Sequence, residues 1–326
     1  MKAMIKQNGD DAYFDRLLSY FQSQFLEKII RMIPIRHSVF FVKTEKNTYI
    51  IKGYPTNNRL RLQEVFTATL RKEGFLKTYR FLTPPIKEQL FFEGMHYGCI
   101  EYIAPNKTAF SYHLQKNREE GLVLLEQFHL VTATFESRYQ TLLPRAHLIG
   151  KWSERYNLFL TNLPFLRYFI TESLLSEILS WAKWSLTGME KNSDFFYNEP
   201  FVILHGDVAH HNFLRDTMGK LYLIDFDLIS IGPNSLDFLQ YANRILPFID
   251  WSFARLQHFP YIDRFLQDEG FLFALAYPAD IFREWNRMVK ENSHHDKAKL
   301  KQVMDLTIGQ FNARKQFIDQ LKKQVT

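Results

Sequence analysis

The sequence predicts an α+β protein of two lobes, a small strand-rich one followed by a larger helical one. Three observations carry this expectation. Up to about Ile103, short apolar runs with strand character alternate with polar turns and two helical stretches. Beyond Ala104-Pro105-Asn106, apolar residues recur at helical spacing to the end of the chain. That helical stretch is interrupted once, at residues 201–231, by short apolar strands flanking polar, His-rich and Gly-containing turns. The expected division is therefore residues 1–103 and residues 104–326.

Taken in order, residues 11–30 read as a helix, with Phe14, Leu17, Leu18, Phe21 and Phe25 on one stripe, and Pro34 closes off the segment beyond it. Ser38-Val-Phe-Phe-Val-Lys-Thr44 and Thr48-Tyr-Ile-Ile-Lys-Gly-Tyr54 then form a hairpin across Glu45-Lys46-Asn47. Asn57 and Asn58 offer an N-cap to a helix over 59–73, spaced by Leu62, Val65, Phe66 and Leu70. After Pro84-Pro85 a second hairpin joins residues 89–92 to residues 97–103 through Glu93-Gly94-Met95. In the second lobe, residues 118–135, 151–163 and 166–186 read as helices, and the chain is helical again after Pro233.

Composition narrows the class. Hydrophobic residues make up 46% of 326, enough for a substantial core and against wholesale disorder. The single cysteine, Cys99, excludes a disulfide framework and fits a reducing, cytoplasmic setting; its apolar strand makes it a core thiol. The formal charge of +6 is spread along the chain without the concentrated stripe of a nucleic-acid binder, and it suits anionic ligands. No apolar h-region follows the polar start, and no run reaches the length of a membrane span.

One segment carries chemistry: His205-Gly206-Asp207-Val-Ala-His-His-Asn212, followed by Leu221-Tyr-Leu-Ile-Asp225-Phe226-Asp227. An Asp and an Asn five residues apart place two oxygen groups on one tight loop, and a following hairpin supplies a second Asp. Phosphoryl transfer from a nucleotide needs such a set: one carboxylate for the acceptor hydroxyl, and hard oxygens for magnesium across the phosphates. Adjacent His210 and His211 lack the Cys or third His that a zinc site would require.

These loops resemble the catalytic and metal-binding loops of the aminoglycoside/choline kinase-like phosphotransferases, relatives of protein kinases. The resemblance implies a bilobal protein-kinase-like fold, with ATP and Mg2+ as cofactors. It makes Asp207 the catalytic base and Asn212 and Asp225 the metal ligands. Lys52, ending the strand Tyr-Ile-Ile-Lys, falls where the family's phosphate-binding lysine sits. Glu64 on the next helix is then the expected partner of Lys52, and Glu101-Tyr102-Ile103 resembles the inter-lobe hinge that meets adenine through backbone groups. His129 resembles a family helix histidine with a packing or buried hydrogen-bonding role. Asp237 resembles the helix aspartate that ties down the catalytic loop. Gly206 stands where protein kinases carry an arginine, and no Ala-Pro-Glu is found after it, so the resemblance favours small-molecule phosphotransferases.

The resemblance breaks at the loop expected over the phosphates, Met32-Ile-Pro-Ile-Arg-His-Ser38, which has no glycine. Glycine lets a backbone approach phosphate closely, so Arg36, His37 and Ser38 would have to substitute with side chains. Near the C-terminus, Ala274-Leu-Ala-Tyr277-Pro278-Ala-Asp-Ile-Phe282-Arg-Glu-Trp285-Asn286 resembles the Tyr-Pro pattern of the spore coat CotS-type kinase-like proteins, including the YutH group. That implies association with spore coat proteins and transfer of phosphate to a hydroxyl of a small molecule or polysaccharide. The alternative is a catalytically weak or inactive structural protein of the coat.

Overall fold

The computed structural model describes residues 8–325, with side chains from residue 12 onward. The polar start read for a targeting segment lies outside the described residues at positions 1–7. The chain forms two compact units. The first runs to Ala109 and takes in Leu214–Asp227; the second comprises Phe110–Phe213 and Leu228–Thr326.

The first unit opens with α1 (Asn8–Gln24), followed by strands β1 (Ile29–Arg36), β2 (Val39–Thr44) and β3 (Thr48–Tyr54). After α2 (Asn57–Lys72) come β4 (Phe81–Leu82), β5 (Phe91–Phe92) and β6 (Met95–Glu101). The antiparallel sheet has the order β1-β2-β3-β6-β4, with β5 pairing β6. Strand alternation turns Phe40 and Val42 of β2 and Tyr49 and Ile51 of β3 inward, where Leu17, Phe21 and Phe25 cover them and Cys99. Each such buried side chain contributes about 1.5–3 kcal/mol. Burial pushes the Cys99 thiol up to about 12, so it stays protonated in the core as expected.

Several boundaries shift by a few residues from the sequence reading, and two differ in kind. The first helix ends at Gln24, and residues 29–36 form a strand in place of helix and loop. Pro34 is tolerated because β1 is an edge strand. Thr56, one residue before the two asparagines, caps α2: its hydroxyl accepts from the Arg59 amide at 3.2 Å.

The second unit is mainly helical. Its helices are α3 (Gln115–Thr132), α4 (Leu148–Thr161), α5 (Leu163–Leu166), α6 (Glu172–Lys191) and α7 (Asp194–Tyr197). After the strand region come α8 (Ser235–Ile245), α9 (Phe253–Gln257), α10 (Pro260–Asp263), α11 (Glu269–Leu275), α12 (Ala279–Lys290), α13 (Lys297–Met304) and α14 (Phe311–Gln324). The interruption holds two strand pairs where the sequence suggested one hairpin. In this unit β7 (Phe201–Leu204) pairs with β10 (Ser230–Pro233), while β8 (Phe213–Arg215) pairs with β9 (Leu221–Leu223), a pair that from Leu214 onward belongs to the first unit. Trp181 and Trp285 are fully buried. Among the described residues, no helix is long and apolar enough to cross a membrane.

Candidate active site

In the second unit β7 delivers the chain into a loop, residues 205–212, that has few regular backbone bonds and is held from outside. Asp237, in the first turn of α8 and buried, accepts from the His205 amide at 2.7 Å and the Gly206 amide at 3.0 Å. It also bonds His129 Nε2 at 2.9 Å; that nitrogen must carry the proton, because an ionised carboxylate only accepts. Burial alone would raise the Asp237 carboxyl. The His129 hydrogen bond and charge, with His205, outweigh it and hold the group below the usual carboxylate range. Asp237 and His129 thus occupy the supporting places that the resemblance implied.

One helical turn on, Gln240 continues the clamp, accepting from the Val208 amide at 2.6 Å and donating to the Gly206 carbonyl at 3.0 Å. A further turn on, Arg244 Nη2 bonds Asp207 Oδ1 at 3.1 Å. Gln240 and Arg244 were missed in the sequence, although they lie three and seven positions after Asp237, on the same face of a helix. Asn212, buried, closes the loop by donating Nδ2 to the Asp207 carbonyl at 2.8 Å and to Asp207 Oδ2 at 3.2 Å. Gly206 is required here: φ is +76°, and an added Cβ would sit 2.2 Å from the Leu228 carbonyl oxygen.

The first unit assembles a second cluster. Lys52 Nζ lies 2.7 Å from Asp225 Oδ1 and 2.7 Å from Asp227 Oδ2, and the lysine side chain is only 12% exposed. Arg36 Nη1 approaches Asp225 Oδ2 at 3.8 Å. Asp225 adopts the left-handed region at φ +71°, a conformation that Asp tolerates better than most residues. α2 fixes this segment: Gln63 Nε2 donates to the Phe226 carbonyl at 2.8 Å and Arg59 Nη2 to the Asp227 carbonyl at 3.0 Å. The Phe226 ring packs between Phe66 and Tyr79.

Glu64, the expected partner of Lys52, bonds Arg61 at 3.0 Å, and Lys52 takes Asp225 and Asp227 in its place. The inward position on that turn of α2 belongs to Gln63. Glu101 ends β6 and pairs with Arg80 at 3.1 Å, with Ile103 two residues beyond the strand. The glycine-free segment is a tight β1–β2 turn. Ser38 stands at φ +61°, its hydroxyl bonds His37 Nδ1 at 2.9 Å, and its carbonyl accepts from the Gly53 amide. Among the described residues, no group of three or more His, Cys, Asp or Glu could hold a metal ion.

Beside Asp207 the second unit opens a pocket of about 470 Å3, lined by residues of α4, α8 and α12 among others. Lys151 and Arg155 of α4 and Arg283 and Arg287 of α12 face it. Burial, then the neighbouring cations, lowers the pKa of Lys151 and of Arg155. Arg244 is lowered for the same two reasons.

Comparison with known proteins gives a consistent picture. The model of the phosphotransferase enzyme family matches residues 35–274. An aminoglycoside phosphotransferase from Alicyclobacillus acidocaldarius is 19% identical at a TM-score of 0.71, covering 100% of this chain and 98% of its own. A spectinomycin phosphotransferase bound to ADP and spectinomycin is 16% identical at a TM-score of 0.56, covering 95% and 98%. A choline kinase from Streptococcus pneumoniae is 12% identical at a TM-score of 0.52, covering 96% and 100%. At these identities the likeness establishes a kinase-like fold. No curated protein matched the sequence.

Proposed function

Since the chain belongs to the phosphotransferase enzyme family, we propose that it transfers the γ-phosphoryl group of ATP to a hydroxyl of a small molecule or polysaccharide. The observation that carries this reading is the Asp207–Asn212 loop, clamped by Asp237 and Gln240 on one face of α8. A loop held by four hydrogen bonds from buried or half-buried groups is preorganised, which is where most catalysis of phosphoryl transfer originates.

In this reading the acceptor hydroxyl oxygen forms a bond to the γ-phosphorus, and the bond from that phosphorus to the β-phosphate oxygen breaks. ADP departs, and Asp207 takes the hydroxyl proton. Lys52 meets the phosphates, and Arg36 and Ser38 serve as their side-chain cover. The backbone of Glu101 and Ile103 meets adenine. Asn212 and Asp225 are hard oxygen donors suited to magnesium, and Asn212 spends its Nδ2 on Asp207, which leaves its carbonyl oxygen for a cation. Magnesium, when bound, neutralises charge on the phosphates. Glu64 drops from the set because Arg61 occupies it.

A second reading, a spore coat scaffold with a weak nucleotide site, is favoured by the glycine-free turn and by the two carboxylates that already engage Lys52. The spore coat association itself rests on the Tyr277-Pro278 resemblance. ADP formation separates the two. With Mg-ATP and a panel of hydroxylated acceptors the wild type turns over, and Asp207→Asn loses about a hundredfold or more while still binding Mg-ATP. Binding without turnover on every acceptor favours the scaffold.

A further inference from the structure

The pocket beside Asp207 has an unbalanced charge lining. Six cations, Lys151, Arg155, Arg244, Arg283, Arg287 and Arg314, face three carboxylates, Asp207, Asp280 and Glu284. Every carboxylate is already engaged. Arg244 holds Asp207 at 3.1 Å, and Arg314 holds Asp280 through two bonds at 2.7 and 2.9 Å. Arg283 and Arg287 share Glu284 at 2.8 and 3.2 Å. Lys151 and Arg155, one helical turn apart on α4, pair with no carboxylate among the described residues.

This crowding opposes stability. Lys151 and Arg287 keep contact with solvent, while partial desolvation and like-charge repulsion together lower the pKa values of Lys151, Arg155 and Arg244. The fold nevertheless holds the two helices firmly in place. Tyr277, just before α12, stacks on Trp152 of α4 with ring centroids 4.3 Å apart and donates to the Trp152 carbonyl at 2.6 Å. Asn286 of α12 donates to the Arg155 carbonyl at 2.9 Å. Six cations set against three carboxylates, with Lys151 and Arg155 left over beside Asp207, fit an anion supplied from outside. A polycationic sugar or a quaternary amine would meet net repulsion here. The guanidinium fork matches both phosphate and carboxylate oxygens, and the volume falls within the range of small-molecule sites.

We propose that the acceptor is a hydroxylated small molecule already bearing a phosphate or carboxylate, held by Lys151 and Arg155 of α4 with Arg283 and Arg287 of α12, so that a hydroxyl faces Asp207. The proposal rests on the phosphotransferase reading above. Its test is a thermal-shift and calorimetric comparison on the full chain with four probes: glucose 6-phosphate, glucuronate, glucose and glucosamine. Mg-ATP is run as a separate arm.

One or both acidic sugars should bind saturably, and which one binds tells phosphate from carboxylate; glucose and glucosamine should not. Lys151→Ala with Arg155→Ala should weaken that binding at least about tenfold. The same double variant should melt no lower than wild type without ligand, since it removes repulsion, a result that a structural role for the two cations would not give. Exposed Lys183→Ala should change nothing. Glucosamine binding above the acidic sugars, or acidic-sugar binding untouched in the double variant, overturns the proposal. So does loss of the Mg-ATP shift in that variant, because the cations would then serve the nucleotide. Acidic sugars that fail to bind while Mg-ATP does bind overturn it and leave the phosphotransferase reading intact. Acidic-sugar binding without any Mg-ATP binding supports the anion pocket and removes the phosphotransferase reading.

Discussion

Asp237→Asn isolates the clamp on the loop over residues 205–212. The carboxylate serves three donors, two buried and one half-buried: Oδ2 takes His129 Nε2 and the His205 amide, and Oδ1 takes the Gly206 amide. An asparagine can put its single carbonyl oxygen in only one of those places. In the better orientation it keeps His129 and His205 and turns its NH2 toward the Gly206 N–H, leaving one half-buried donor facing another donor. That costs about 1–3 kcal/mol, and losing the charge on the other two bonds adds about 1 kcal/mol. A total of about 3 kcal/mol lowers the melting temperature by about 6–12 °C in a unit of this size. Calorimetry at neutral pH measures it, with exposed Asp250→Asn as a control expected to cost under about 1 kcal/mol.

The pH arm has a definite sign. The folded-state pKa of Asp237 is depressed. Its stabilisation is therefore complete above the unfolded value of about 3.9 and is lost as pH falls through the lower folded value. The gap between wild type and Asp237→Asn should stay flat from about pH 5 to 8 and narrow below about pH 4. Melting within about 2 °C of wild type at neutral pH, or a gap that widens in acid, would refute the clamp.

Gly206→Ala should cost about 2 kcal/mol or more, because φ +76° and the Leu228 carbonyl both oppose a Cβ; a urea titration reads it, and a neutral result would mean the loop relocates freely. Arg36→Ala should weaken ATP binding more than adenosine binding, since only ATP brings phosphate charge to a guanidinium that already sits 3.8 Å from Asp225. Equal losses measured for the two ligands would mark a folding effect.

Strand alternation and turn residues made the β2–β3 hairpin legible, and the His205 to Asp227 segment could be read from residue types in order. The first strand was not legible. Its Ile-Ile-Arg-Met-Ile-Pro-Ile-Arg run carries no period-two pattern, and only its place at the sheet edge explains why Pro34 is harmless. Helical spacing placed Glu64 and Gln63 on the same turn without saying which one α2 turns inward; it is Gln63, which bonds the Phe226 carbonyl, and Glu64 pairs with Arg61. Gln240 and Arg244 were within reach of sequence reasoning, since they repeat the face of Asp237. Lys151 and Arg155 were not, because their counterparts on α12 are brought near only by tertiary packing. The same holds for residues 214–227, which come after the loop in sequence yet pack within the first unit.

Calorimetric titration of the wild-type chain with ATP, with magnesium and then with a chelator in its place, tests the proposed nucleotide–magnesium assignment most directly, because Lys52, Asp225 and Asn212 are each proposed to serve it. The account predicts saturable binding that depends on magnesium and is lost in Asp225→Asn, while the variant still unfolds cooperatively. A folded wild-type sample that takes up no ATP at millimolar concentration with magnesium, or binds equally well without it, would contradict the account.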